Sequence, residues 1–243
     1  MMPVKVIVRR IFYPLVGLLL LLTLSTYSYG QTDFGRLLNI RDKGELNKII
    51  DKAKKIIEKT PEDKDSLITL GIAFHNLADY GEKTAPKQAV KYLKKAQKLY
   101  PDDALILAVL GSSTTMMGKY SKERVTEGRK LVNKGAGMID RAVMNAPDDA
   151  LIRTLRANNS RGLPAFFGRR HYFKEDLLHV KGLIDKSPSA YNDDFKAQVY
   201  LKLGAAYSLE GDNSSAKSYF KKAAEIAPHT ETGQEAQRAF EKL

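Results

Sequence analysis

The sequence contains no cysteine and no tryptophan. Without cysteine there is no disulfide framework, no thiolate metal site, no thiol nucleophile and no lipidated cysteine. Histidine is scarce. His75, His171, His179 and His229 contain no i,i+4 pair with a third ligand, and no H-E-x-x-H occurs, so no metal site is expected. There is no Gly-x-Ser-x-Gly nucleophile elbow. The string Gly111 to Tyr120 is similar to a phosphate loop only in outline. It places six residues between its glycines where the loop has four, and Tyr120 follows Lys119 where Ser or Thr is required. No cofactor and no enzymatic activity are expected.

Acidic residues are in deficit: 28 Asp and Glu stand against 40 Lys and Arg in 243 residues, a net charge of +12. The excess is spread over helix surfaces, as at Lys52, Lys54, Lys55, Lys94 and Lys95. Nucleic-acid binding wants clustered Lys and Arg with exposed aromatics and is not expected. A preference for anionic partners or membrane surfaces is the milder implication.

The first thirty residues differ from the rest. Lys5, Arg9 and Arg10 precede an apolar run from Ile11 to Leu24, and Ser28 and Gly30 stand at small-x-small positions before Gln31. Fourteen residues make a helix of roughly 21 Å, short of the ~30 Å hydrocarbon core. The pattern is that of a signal peptide over residues 1–30, giving an exported, periplasmic or extracytoplasmic chain. The alternative is an uncleaved anchor over residues 11–29, which would be the chain's membrane contact.

Residues 31–243 carry an internal repeat. Tyr200, Leu203, Gly204, Tyr207, Ala216, Phe220, Ala223 and Pro228 fall at offsets 0, 3, 4, 7, 16, 20, 23 and 28. Small residues at Gly204 and Ala216 let two helices cross, aromatics at Tyr207 and Phe220 fill the space between them, and Pro228 stops the second helix. This spacing resembles the tetratricopeptide repeat (TPR). Leu70-Gly71, Phe74, Ala89, Leu93, Ala96 and Pro101 mark an earlier copy. Leu110-Gly111, Ile139, Ala142 and Pro147 mark another, and Leu155, Ala157 and Pro188 a degenerate third. The fold expected is all-α, a TPR-type superhelix of antiparallel helix pairs with about four repeats.

The repeats are elongated. Pro61, Pro101, Pro147, Pro188 and Pro228 are spaced 40, 46, 41 and 40, against about 34 for the standard repeat. The extra residues fall inside the hairpins at 81–86, 118–129 and 163–173, so breaks are expected near Gly81, Gly118, Gly162 to Gly168, and Gly211. In the last copy they fall ahead of the first helix, at 189–194. A helix from Glu45 to Lys59 reads as half a repeat, its partner missing or replaced by Phe34 to Leu38. Residues 231–243 read as a polar capping helix.

Elongated repeats on an exported chain are similar to the TatT family, TPR partners of TRAP-type solute transporters. Arg153-x-x-Arg156, Asn158-Asn159 and the string from Leu163 to Arg169 carry that resemblance. It implies an envelope transporter component as partner and, in the alternative, a small ligand. Lipoprotein members of such families need a cysteine after the signal, which this chain lacks.

In a TPR superhelix the first helix of each pair lines the concave face. The residues expected there are Ile72, His75 and Asn76; Ser112, Thr115 and Met116; Asn158 and Arg161; and Ala205, Ser208 and Leu209. The middle of this groove is expected to be polar, with Arg161 as its fixed positive charge, and its ends more apolar. Phe166 and Phe167, beside Pro164 and Gly168, cannot form a regular helix turn; they either fold over the groove or plug the longer hairpin. The function expected is an exported scaffold that docks a protein or peptide in the groove. The alternative is a small-ligand-binding accessory of an envelope transporter.

Overall fold

A computed structural model describes residues 33–40, 42–121 and 125–243. The N-terminal apolar run and its cleavage positions lie outside the described residues. Eleven α-helices and no strand occur among the described residues. They are α1 (Asp33–Leu37), α2 (Lys43–Lys59), α3 (Lys64–Ala78), α4 (Ala85–Leu99), α5 (Ala104–Tyr120), α6 (Val125–Asn145), α7 (Ala150–Arg161), α8 (His171–Lys186), α9 (Asp193–Leu209), α10 (Asn213–Ile226) and α11 (Glu231–Glu241). None is long and apolar enough to cross a membrane.

Short polar residues start most of these helices. Asp42, Asp63, Asp103, Asp149, Asn192, Asp212 and Thr230 each accept a backbone N–H from the first turn of α2, α3, α5, α7, α9, α10 and α11. Such caps satisfy donors that have no partner inside the helix. Asp149 is the buried one, and burial pushes its carboxyl above the usual range against the pull of the Ile152 and Leu151 N–H groups. Gly81, Gly168 and Gly211 take positive φ in the turns after α3, between α7 and α8, and after α9, a region closed to most side chains.

From α2 onward each helix packs on its chain neighbours, and α3, α5 and α7 also pack in order on one another. They and α9 form an inner layer; α2, α4, α6, α8 and α10 form an outer one. Helix α1 packs on α3, tied there by Asn76, which donates to the Leu37 carbonyl at 2.7 Å. Helix α11 covers the end of α9 and α10. The buried apolar residues fall into two clusters that meet at α7. Ile152 and Leu155 belong to the first, with α1 to α6, and Ala150 and Ala157 to the second, with α8 to α10 and Ala236 of α11.

The break expected at Gly118 is corrected. Helix α5 runs through it to Tyr120, and α6 is the longest helix, at 21 residues. The extra length of this copy lengthens the pair instead of looping out. The cause is a pair of glycines on each helix, seven residues apart. A Cβ on Gly111 would stand 2.6 Å from the Gly135 carbonyl oxygen, and one on Gly118 would stand 2.6 Å from that of Gly128. The four glycines let two backbones touch over two turns, so Gly118 is a packing residue. The other expected breaks fall in turns, and the capping helix is α11.

Candidate partner-binding groove

The inner faces of α3, α5, α7 and α9 enclose a groove of about 700 Å³. The start of α6 and the Leu163–Phe167 stretch form one wall, and Leu38 and Asn39 after α1 close one edge. All eight residues expected to face a partner line it: His75, Asn76, Ser112, Thr115, Asn158, Arg161, Phe166 and Phe167. The six on helices reach it because α3, α5 and α7 turn toward the concave side at positions one, four or five past the crossing glycine, or its Ala157 equivalent, and Phe166 and Phe167 reach it from the hairpin between α7 and α8.

The eight are not equivalent. Asn76 is buried and its amide already holds α1. Thr115 is buried and donates to the Gly111 carbonyl at 3.1 Å. The His75 ring lies between two hydroxyls, with Nε2 3.4 Å from Ser112 Oγ and Nδ1 3.3 Å from Ser113 Oγ. Asn158, Arg161 and Phe166 are exposed, and Phe166 at 69% is among the most exposed large apolar residues of the chain. Beside them Asn159 Oδ1 is a buried acceptor with no hydrogen-bond partner among the described residues. Buried acceptors are normally satisfied, and this residue borders the groove.

Three features differ from expectation. Ile72 is fully buried in the core and does not reach the groove. Helix α9 contributes Phe195, Gln198 and Lys202 from its first half, at i, i+3 and i+7, in place of Ala205, Ser208 and Leu209. Beside the polar residues lies an apolar floor of Val132, Leu151, Leu155, Leu163 and Phe195. Sequence inspection missed these because α7 is only 12 residues long. Its early turns therefore face the groove, and α9 meets it with its N-terminal half. Lys119, Arg129, Arg161 and Lys202 line the groove with Asp79 as the acid among them, so the opening is basic. Arg129 lies 5.5 Å from the centre of the Phe166 ring and Arg161 lies 5.2 Å from that of Phe173.

The Phe166 wall is held by a buried ionic chain. Asp176 of α8 is fully buried. Arg156 donates to it from Nε and Nη2, each at 2.7 Å, and Arg153 from Nη1 at 2.9 Å. Arg169 clasps Asp140 of α6 with both terminal nitrogens, at 2.9 and 2.6 Å, and Arg156 reaches the same carboxylate at 3.5 Å. The Tyr172 ring lies 4.1 Å from the Arg156 guanidinium and 4.8 Å from that of Arg169. Fork-shaped guanidinium contacts fix direction as well as distance. The Arg153-x-x-Arg156 spacing and the arginine ending the Phe166-Phe167 string therefore anchor the long hairpin to α6 and α8. Its 3-10 turn, Ala165–Phe167, is thereby set at the groove mouth.

Antiparallel helix pairs crossing at small residues, with an inner layer lining a groove, define a helical-repeat protein of the tetratricopeptide type. Residues 197–230 match the family model described as Tetratricopeptide repeat. No curated protein matches the sequence. Among solved structures the chain is similar to two crystal structures of MamA, each 22% identical over 76% of this chain. They are covered to 91% and 85% of their own length, with TM-scores of 0.45 and 0.44.

Proposed function

We propose that this chain is an exported scaffold that holds a partner protein or peptide in the groove of its inner helices. Tetratricopeptide repeats generally mediate protein–protein interaction, and repeat arrays offer extended concave surfaces for it. The observation that carries the reading is the exposure of Asn158, Arg161 and Phe166 on one groove wall, beside the unsatisfied Asn159 oxygen. A purely structural repeat could place alanine or leucine at these positions. Arg161 would donate two hydrogen bonds to a carboxylate or carbonyl of the partner, Asn158 would set its orientation, and Phe166 would cover an apolar side chain seated on Leu151 and Leu155.

The double substitution Asn158→Ala with Arg161→Ala should abolish capture of the partner and leave the melting temperature within about 2 °C, since exposed positions change stability by under ~0.5 kcal/mol. The measurement is affinity enrichment from the cell envelope, quantified by mass spectrometry for wild type and variant side by side. A set of captured proteins identical for both would refute the groove as the site. Unfolding of the double variant would make the pair a brace for α7.

A second reading, a small-ligand accessory of an envelope transporter, is favoured by one observation. The groove volume of about 700 Å³ and its apolar floor fall within the range of small-molecule sites. Native mass spectrometry of the protein as purified from its own cells separates the two, because a retained small ligand adds a discrete mass. Export rests on the N-terminal pattern, and mature protein isolated from cells should begin near Gln31. An intact apolar run would favour the anchored form.

A further inference from the structure

The basic excess is not evenly distributed over the layers. Helices α2, α4 and α6 of the outer layer carry fifteen Lys and Arg against five Asp and Glu. Helix α4 has five lysines and no acid. The inner helices α3, α5 and α7 carry five against one.

The placement is regular. In α2, Lys48, Lys52, Lys55 and Lys59 recur at i, i+4, i+7 and i+11, all exposed. In α4, Lys87, Lys91, Lys94 and Lys98 repeat the same spacing, again all exposed. At about 100° per residue each set falls on the side opposite its helix's buried residues, Leu46, Ile50 and Ala53 in α2 and Ala89, Leu93 and Ala96 in α4. In α6, Lys130, Lys134 and Arg141 keep three of the four places and Gly137 takes the other. The pattern stops there. The corresponding outward positions of α8 are held by Glu175, Leu178, His179, Gly182 and Lys186. A solvated surface has no need of one lysine register repeated on three successive outer helices.

We propose that the outer face of α2, α4 and α6 docks on an anionic lipid bilayer. None of the eight lysines of α2 and α4 in this register forms an ion pair among the described residues. Their charge is therefore available to a partner. Thirteen of the fifteen cations are lysines, mobile point charges suited to a fluid plane of headgroups. Recognition of phosphates fixed on a nucleic-acid backbone or of carboxylates on a folded protein favours the planar fork of arginine. No aromatic residue of α2, α4 or α6 is among the exposed large hydrophobics, which removes the stacking surface that single-stranded nucleic acid uses. The groove, formed by the inner layer with the first turns of α6, opens away from that face and stays accessible to its partner.

The test is co-sedimentation of the mature chain, beginning at Gln31, with phosphatidylcholine vesicles, with and without an equal part of phosphatidylglycerol. It is run at about 0.1 M salt, where the screening length is about 10 Å. Association with pure phosphatidylcholine reports binding that does not depend on charge, and the gain on adding phosphatidylglycerol reports the charged face. Wild type should gain at least about tenfold, and the gain should vanish near 1 M salt, where the screening length is about 3 Å. The quadruple variant Lys87→Gln, Lys91→Gln, Lys94→Gln and Lys98→Gln should lose that gain, since each lysine near such a surface is worth roughly fivefold. A matched variant, Lys217→Gln, Lys221→Gln, Lys222→Gln and Lys242→Gln, removes equal charge from the last helices and should keep it. Equal loss in both variants makes the effect one of net charge and overturns the proposal. So does equal association with both vesicles, or a wild-type preference for duplex DNA over the vesicles that the first variant abolishes.

Discussion

Gly135→Leu should lower the melting temperature by roughly 6–12 °C, the equivalent of about 3 kcal/mol in a chain of this size. A Cβ on Gly135 would stand 2.4 Å from the Gly111 carbonyl oxygen and 2.7 Å from the Thr115 backbone nitrogen. Neither atom can turn aside as a side-chain tip can, so α5 and α6 must part. Their separation would also move Thr115 and Val132, which line the groove. Gly137, two residues on, is the control. Nothing lies within 4 Å of a Cβ there, and Gly137→Ala should stabilise α6 by about 0.5–1 kcal/mol through helix propensity alone. Thermal unfolding followed by circular dichroism reads both. A Gly135→Leu protein melting within about 2 °C of wild type, about 0.5–1 kcal/mol, would mean the two helices are not in backbone contact.

The second large effect is expected at Asp176. Asp176→Ala should cost about 3–5 kcal/mol, because it strands Arg153 and Arg156 in a site built around a buried carboxylate. The loss comes from uncompensated charge and not from the ion pair as such. Replacing the set together, with Asp176→Leu, Arg153→Met and Arg156→Met, should therefore recover most of the stability. Denaturant unfolding of the single and triple variants separates these terms. A single variant losing less than about 1 kcal/mol, the range of an exposed pair, would show the cluster to be solvated.

The repeat pattern made the helix pairs legible because each marker residue has a mechanical role that only one or two side chains can fill. Gly204 is such a case, since a Cβ there would lie 2.5 Å from the Phe220 ring. The same logic misassigned Gly118. A glycine near an expected hairpin reads as a turn, and only its spacing of seven from Gly111, mirrored by Gly128 and Gly135, marks it as a crossing point. The groove residues of α3, α5 and α7 followed from their distance to the crossing position. Those of α9 did not, because α9 lines the groove through Phe195, Gln198 and Lys202, ahead of its crossing residue Gly204. The partners of Arg153, Arg156 and Arg169 were not legible as pairs, being 16 to 29 residues away in sequence. One signal was present: Asp176 sits among Phe173, Leu177, Val180 and Ile184 on the buried side of α8, where a lone carboxylate demands cationic partners.

The partner is expected in the inner groove, against the Phe166 wall. A photo-crosslinking residue at Phe166 tests it, with the same residue at Met144 for comparison. Met144 is equally large, 77% exposed, and on α6 of the outer layer. After irradiation of intact cells, the chain labelled at position 166 should carry one discrete partner adduct that disappears in the Asn158→Ala, Arg161→Ala background. The chain labelled at 144 should carry none. An adduct at 144 with none at 166 would place the partner on the outer layer and not in the groove.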